Sequence, residues 1–81
     1  MRVTVRVFAR LRDIVGSAEL ERQAAPGSTI GAVWRDLAAE FPDLAAYERS
    51  ISTAVNAEYA RMDRVIGDGD EVAFLPPVSG G

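Results

Sequence analysis

The sequence predicts a two-layer α+β domain in which one main helix packs across one face of a mixed β-sheet. Three observations predict it. Residues 2–9 alternate, with Val3, Val5, Val7 and Ala9 on one face and Arg2, Thr4, Arg6 and Phe8 on the other, as a half-buried strand requires. Ile30, Val33, Trp34, Leu37 and Phe41 fall at offsets of 0, 3, 4, 7 and 11, which sets them on one stripe of a helix. Beyond that helix the pattern returns to short runs of strand character, the last of them Glu71–Leu75. With 81 residues, 48% of them hydrophobic, the chain can build one small core and no second domain of ordinary size.

Taken in order, the valine face of the first strand is the core face. Leu11–Val15 is too short to form a strong helix, and Gly16-Ser17 punctuates the chain before a second strand at Ala18–Ala25, in which Leu20 points inward between Glu19 and Glu21. Pro26-Gly27 marks a turn. Ser28 or Thr29 can then cap the helix by accepting a hydrogen bond from an otherwise unpaired N–H, and Pro42 ends it after Phe41. Gly31 costs about 1 kcal/mol of helix propensity, which burial of Trp34 can offset. Arg35, Asp36 and Glu40 face water, the two acids as an i,i+4 like-charge pair.

Residues 43–52 read as a loop with room for a helical turn, since Leu44, Tyr47 and Ile51 sit at near-helical spacing. Short strands are expected at Thr53–Asn56 and Ala60–Met62. Gly67-Asp68-Gly69-Asp70 is a turn feeding the last strand; its acids lack the spacing of a calcium-binding loop. This order places the first and last strands side by side at the centre of the sheet in a ubiquitin-like β-grasp, and the pattern alone equally allows a split βαβ arrangement.

Composition removes most self-contained chemistry. There is no cysteine and no histidine, so a thiol nucleophile, a disulfide framework, a Ser-His-Asp triad and a zinc site of the usual ligands are excluded. Nine basic residues, all arginine, against twelve acids give a net charge of -3, the wrong sign for a nucleic-acid binder and more suited to a protein partner with a basic surface. No apolar stretch has membrane-spanning length and the amino end alternates, so a cytoplasmic location is expected, with neither membrane nor nucleic acid as partner.

What remains is the carboxyl end, Pro76-Pro77-Val78-Ser79-Gly80-Gly81. Alternation in the last strand turns Val72 and Phe74 inward and leaves Leu75 as an exposed apolar residue. The two prolines cannot donate ladder hydrogen bonds and favour an extended chain, so a body of residues 1–75 and an arm of residues 76–81 are expected. Six extended residues reach roughly 20 Å, at about 3.3–3.6 Å each. Gly80 and Gly81 let the backbone pass where any Cβ would block it. A terminal carboxylate is ionised at neutral pH and a poor electrophile, so it needs activation, most simply as an acyl-adenylate.

Gly67–Gly81 resembles the closing signature of the molybdopterin synthase small subunits, a MoaD-like family of ubiquitin-fold sulfur carriers. Val55-Asn56 is similar to that family's central pair, and Phe8-Ala9-Arg10-Leu11-Arg12-Asp13-Ile14-Val15-Gly16 to its first-strand exit. The resemblance implies that an E1-like adenylyltransferase uses ATP and Mg to adenylate Gly81 and that a sulfur donor converts it to a thiocarboxylate. The arm, Pro76 to Gly81, would then enter the large catalytic subunit, where sulfur passes to a cyclic pyranopterin phosphate to form the dithiolene of molybdopterin. The chain would have no catalytic residues of its own, and no bound cofactor or metal. The matching partner face is Phe8, Tyr59 and Leu75, of which alternation independently turns Phe8 and Leu75 away from the helix. Arg12 matches a basic position near the activating-enzyme contact. Other readings are a carrier for thiamin, tRNA thiolation or cysteine synthesis, and a protein modifier conjugated through Gly81.

Overall fold

The alternating valines form a strand because each can be buried on the same side while its neighbours stay wet. A computed structural model, in which residues 1–77 are described, runs β1 (Arg2–Val7), α1 (Ala9–Val15), β2 (Glu19–Gln23), α2 (Ile30–Glu40), a 3₁₀ segment (Pro42–Tyr47), β3 (Ser52–Val55), β4 (Glu58–Tyr59) and β5 (Glu71–Leu75). Among the described residues the five strands form one sheet in the order β2-β1-β5-β3-β4. β1 and β5 are parallel neighbours at its centre, and every other pairing is antiparallel. This selects the β-grasp arrangement over the split βαβ alternative. No helix among the described residues is long and apolar enough to cross a membrane.

Val3, Val5 and Val7 of β1, with Val72 and Phe74 of β5 and Val55 of β3, form the sheet side of the core. Ile30, Val33, Trp34 and Leu37 of α2 cover them, and Leu11 and Leu44 close the ends. The Trp34 and Phe74 rings meet at 5.0 Å with a 57° tilt, a favourable offset geometry. Thr29 caps α2 by accepting the Ala32 N–H at 3.1 Å, as expected. Gly31 sits at a close approach: its N–H donates to the Met62 carbonyl at 2.8 Å, and a Cβ there would lie 3.2 Å from the same oxygen, a tight contact.

Three expectations are corrected. β1 stops at Val7, because Phe8 becomes the N-cap of α1 and Ala9, at φ 50°, turns the chain off the sheet and into solvent. The following seven residues do make a helix, closed by Gly16 at φ 85° with its N–H donating to the Arg12 carbonyl at 2.7 Å. The segment Ala60–Met62 is not a strand. Ala60 still pairs with Thr53, whose hydroxyl donates to the Ala60 carbonyl, but the pull of Gly31 on Met62 then takes the chain across to α2. Glu40 is exposed, as expected, and Arg22 of β2 grips its carboxylate with bonds of 2.6 and 3.0 Å. That bidentate contact lowers the Glu40 pKa and raises that of Arg22.

The Gly-Asp-Gly-Asp turn is a polar clasp that seats β5. Asp68 Oδ1 accepts the Arg2 N–H at 2.8 Å, tying the turn to the start of β1. Asp70 accepts the Gly67 N–H at 2.7 Å and the Asn56 side-chain amide at 3.0 Å, while Asn56 Oδ1 accepts the Glu71 N–H at 3.0 Å. These donors, Gly67 first, hold the Asp70 pKa below the usual carboxylate range. The stabilisation is therefore complete above the unfolded value of about 3.9 and is lost as pH falls through the lower folded value. Asp70→Asn is expected to flatten this part of the acid response, so the fall in Tm between about pH 4 and pH 2 should be steeper for the parent chain than for the variant. Identical slopes in a thermal-melt series would show that the clasp does not contribute.

Candidate functional site

The sheet face opposite α2 is set by register. Arg6 pairs with Glu19 and Ala73, Ala73 with Ala54, and Ala54 with Tyr59, so these five residues form one row across the sheet. The two members between Arg6 and Tyr59 are alanines, which leaves a low floor between taller neighbours. The result is a concavity of about 250 Å³, walled by Phe8, Tyr59, Leu75, Arg6, Glu71 and Ala57.

The structure brings the three expected partner-face residues together around this floor. Phe8 is 37% exposed and Tyr59 80% exposed, both large apolar groups open to solvent. Leu75 lies on the same face but is half-buried, which corrects the expectation of an exposed residue: it pairs with Ser52 on β3 and shares the wall of the concavity with Phe8 and Tyr59. Arg12 is exposed on α1. Pro76 is half-buried and Pro77 exposed, so the described chain ends beyond Leu75, at one wall of the concavity. Val78, Ser79, Gly80 and Gly81 lie outside the described residues.

Arg6 went unassigned in the sequence. Its guanidinium sits 5.5 Å from the Phe8 ring centroid, and its Nη1 lies 3.8 Å from Glu71 Oε1. The cation thus steadies the aromatic wall while its charge is balanced by a neighbour on β5, so the concavity presents little net charge. Glu71, Ala54, Ala57 and Ala73 were also missed as lining residues. Alternation could place Ala73 and Arg6 on the outer face, but only the register shows that small residues coincide at its centre. A larger cleft of about 440 Å³ opens on the other side of Tyr59, where β4 leaves β3, lined among others by Glu48, Ser52, Arg61 and Met62. The smaller concavity is the stronger candidate because Leu75, which ends β5 just before the closing Pro76–Gly81 segment, is part of its wall.

A five-stranded mixed sheet in this order, with parallel central strands and one main helix across a single face, defines a ubiquitin-like β-grasp domain. The chain belongs to the ThiS family, whose model matches residues 5–81. It is 38% identical over 81 residues to the molybdopterin synthase sulfur carrier subunit of Escherichia coli (strain K12), covering 98% of this chain and 99% of that one. The solution structure of small archaeal modifier protein 1 from Methanosarcina acetivorans superposes with a TM-score of 0.83 at 30% identity, covering 99% of this chain and 96% of that one. A chain of the Amycolatopsis orientalis BexX/CysO complex matches with a TM-score of 0.75 at 26% identity, over 98% of this chain and 99% of that chain. The resemblance drawn from the closing signature is borne out by several sulfur carrier subunits of molybdopterin synthase at 32–38% identity.

Proposed function

We propose that this chain is the sulfur carrier subunit of a molybdopterin synthase, acting in the cytoplasm with Gly81 as the point of covalent attachment. An E1-like adenylyltransferase, which binds the ATP and Mg, activates the Gly81 carboxylate as an acyl-adenylate. A sulfur donor then displaces AMP and leaves a thiocarboxylate. The residues from Pro76 to Gly81 carry this group into the large catalytic subunit, which supplies the acid-base groups this chain lacks. There the sulfur passes to a cyclic pyranopterin phosphate to build the dithiolene. Phe8, Tyr59 and Leu75 dock the body of the domain while the arm is inserted.

The observation that supports the reading most directly is the continuity of the arm with an apolar concavity, in a chain whose family match runs through residue 81. Intact-mass spectrometry after incubation with ATP, Mg, the adenylyltransferase and a sulfur donor tests it. The expected result is a mass gain equal to the exchange of one oxygen for sulfur, located on Gly81 by fragmentation. An unchanged mass sinks the proposal.

A second reading, a protein modifier joined to target amines through Gly81, is favoured by the likeness to small archaeal modifier protein 1. It predicts mass-shifted conjugates on denaturing blots that vanish when Gly81 is deleted. The chain contains no lysine, so branched chains of this protein on itself are excluded under either reading.

A further inference from the structure

Ala57 occupies an unfavourable position for an alanine. It is the second residue of the two-residue loop Asn56-Ala57 between β3 and β4, and both residues are left-handed, at φ 50° and 70°. Such hairpin loops take Asn followed by Gly, because a Cβ at the second position crowds the backbone. Asn56 fits this rule and is held further by Asp70 and by the Glu71 N–H. Ala57 departs from it. Nothing in the loop's own hydrogen bonding calls for a methyl group there, yet Ala57 lines the concavity that Tyr59, Ala54, Ala73 and Leu75 also line.

We infer that Ala57 is a specificity-determining contact for the protein that receives the carboxy-terminal arm, its methyl group serving as one wall of a seat for an apolar side chain of that partner. The inference rests on the carrier function proposed above. The occupant follows from position and chemistry. Leu75 both ends β5 and walls the seat, so a protein that takes up the following residues is brought against it. The two charged residues at the seat, Arg6 and Glu71, face each other at 3.8 Å, which leaves an uncharged, apolar insert as the group that fits. On this view local backbone strain is tolerated because the strained residue makes an intermolecular contact.

The test compares the full chain with Ala57→Gly and Ala57→Ser, each by thermal melt and by calorimetric titration with the large catalytic subunit of the same organism's molybdopterin synthase. Ala57→Gly is expected to raise Tm by about 3 °C, as relief of strain outweighs added chain entropy. The same variant is expected to bind the large subunit about fourfold more weakly, the loss of one buried methyl. Ala57→Ser, which keeps the Cβ, should bind within about twofold of the parent. A glycine variant that binds as tightly as the parent overturns the inference, and so does one whose Tm falls, since the methyl would then serve the fold. Failure of the parent chain itself to bind overturns the carrier reading along with it, so the two failures are distinct.

Discussion

Deleting Gly81, or adding one alanine after it, is expected to abolish sulfur transfer while leaving Tm unchanged. Under the proposed carrier function either change displaces the carboxylate to be activated by about 3.5 Å along an extended chain. Misplacement of a reacting group by even 1 Å can cost about 100-fold in rate, and the added alanine also puts a Cβ where the proposed passage would admit only glycine. Thiocarboxylate formation followed by mass spectrometry should therefore fall at least about 100-fold for both variants. The fold should not notice, since the ordered ladder ends at Leu75, six positions earlier. A binding module whose arm carries no chemistry would tolerate the extension, so full activity in the extended chain would decide against a carrier.

Trp34→Ala should have the largest effect on stability. Trp34 is 1% exposed and its ring meets Phe74 at 5.0 Å. Truncating a buried aromatic costs about 3–5 kcal/mol. A domain of this size has roughly 4–12 kcal/mol in total, so the variant is expected to be marginal at room temperature. Urea denaturation of the parent, Trp34→Phe and Trp34→Ala should give a graded series, with the phenylalanine retaining most of the ring contact. A loss below about 1 kcal/mol for the alanine variant would mean that the α2 to β5 contact is not central to the core. Phe74 belongs to β5, which ends at Leu75 in the wall of the concavity, so loosening it also disturbs that wall.

Much of the fold was legible because it depends on local periodicity. Val3, Val5 and Val7 alternate, and Ile30, Val33, Trp34 and Leu37 repeat at helical spacing, whatever lies elsewhere in the chain. The signals for α1 and for the departure at Ala60–Met62 were weak for opposite reasons. In α1 only Leu11 is buried, too little to mark a helical stripe. At Ala60–Met62 the local pattern suits a strand, and it is overruled by long-range bonds to the start of α2, from the Gly31 N–H to the Met62 carbonyl and from the Ile30 N–H to the Arg64 carbonyl.

For the candidate site the division is similar. Phe8 and Leu75 could be turned to the outer face by alternation, and Tyr59 was reached through resemblance. Arg6, Ala54, Ala57 and Ala73 acquire meaning only once the strands are in register.

The sequence by itself determined the materials: a strand, one amphipathic helix, a last strand stopped before two prolines, and a closing segment that contains two adjacent glycines. These are properties of neighbouring residues, so neighbouring residues suffice to reveal them. Only the tertiary structure decided that β1 and β5 lie parallel, that Ala54 meets Ala73 to form a floor, and that Arg6 braces Phe8 beside Glu71. Those pairings join residues far apart in the chain, and their energies depend on all the strands and the helix being in place together.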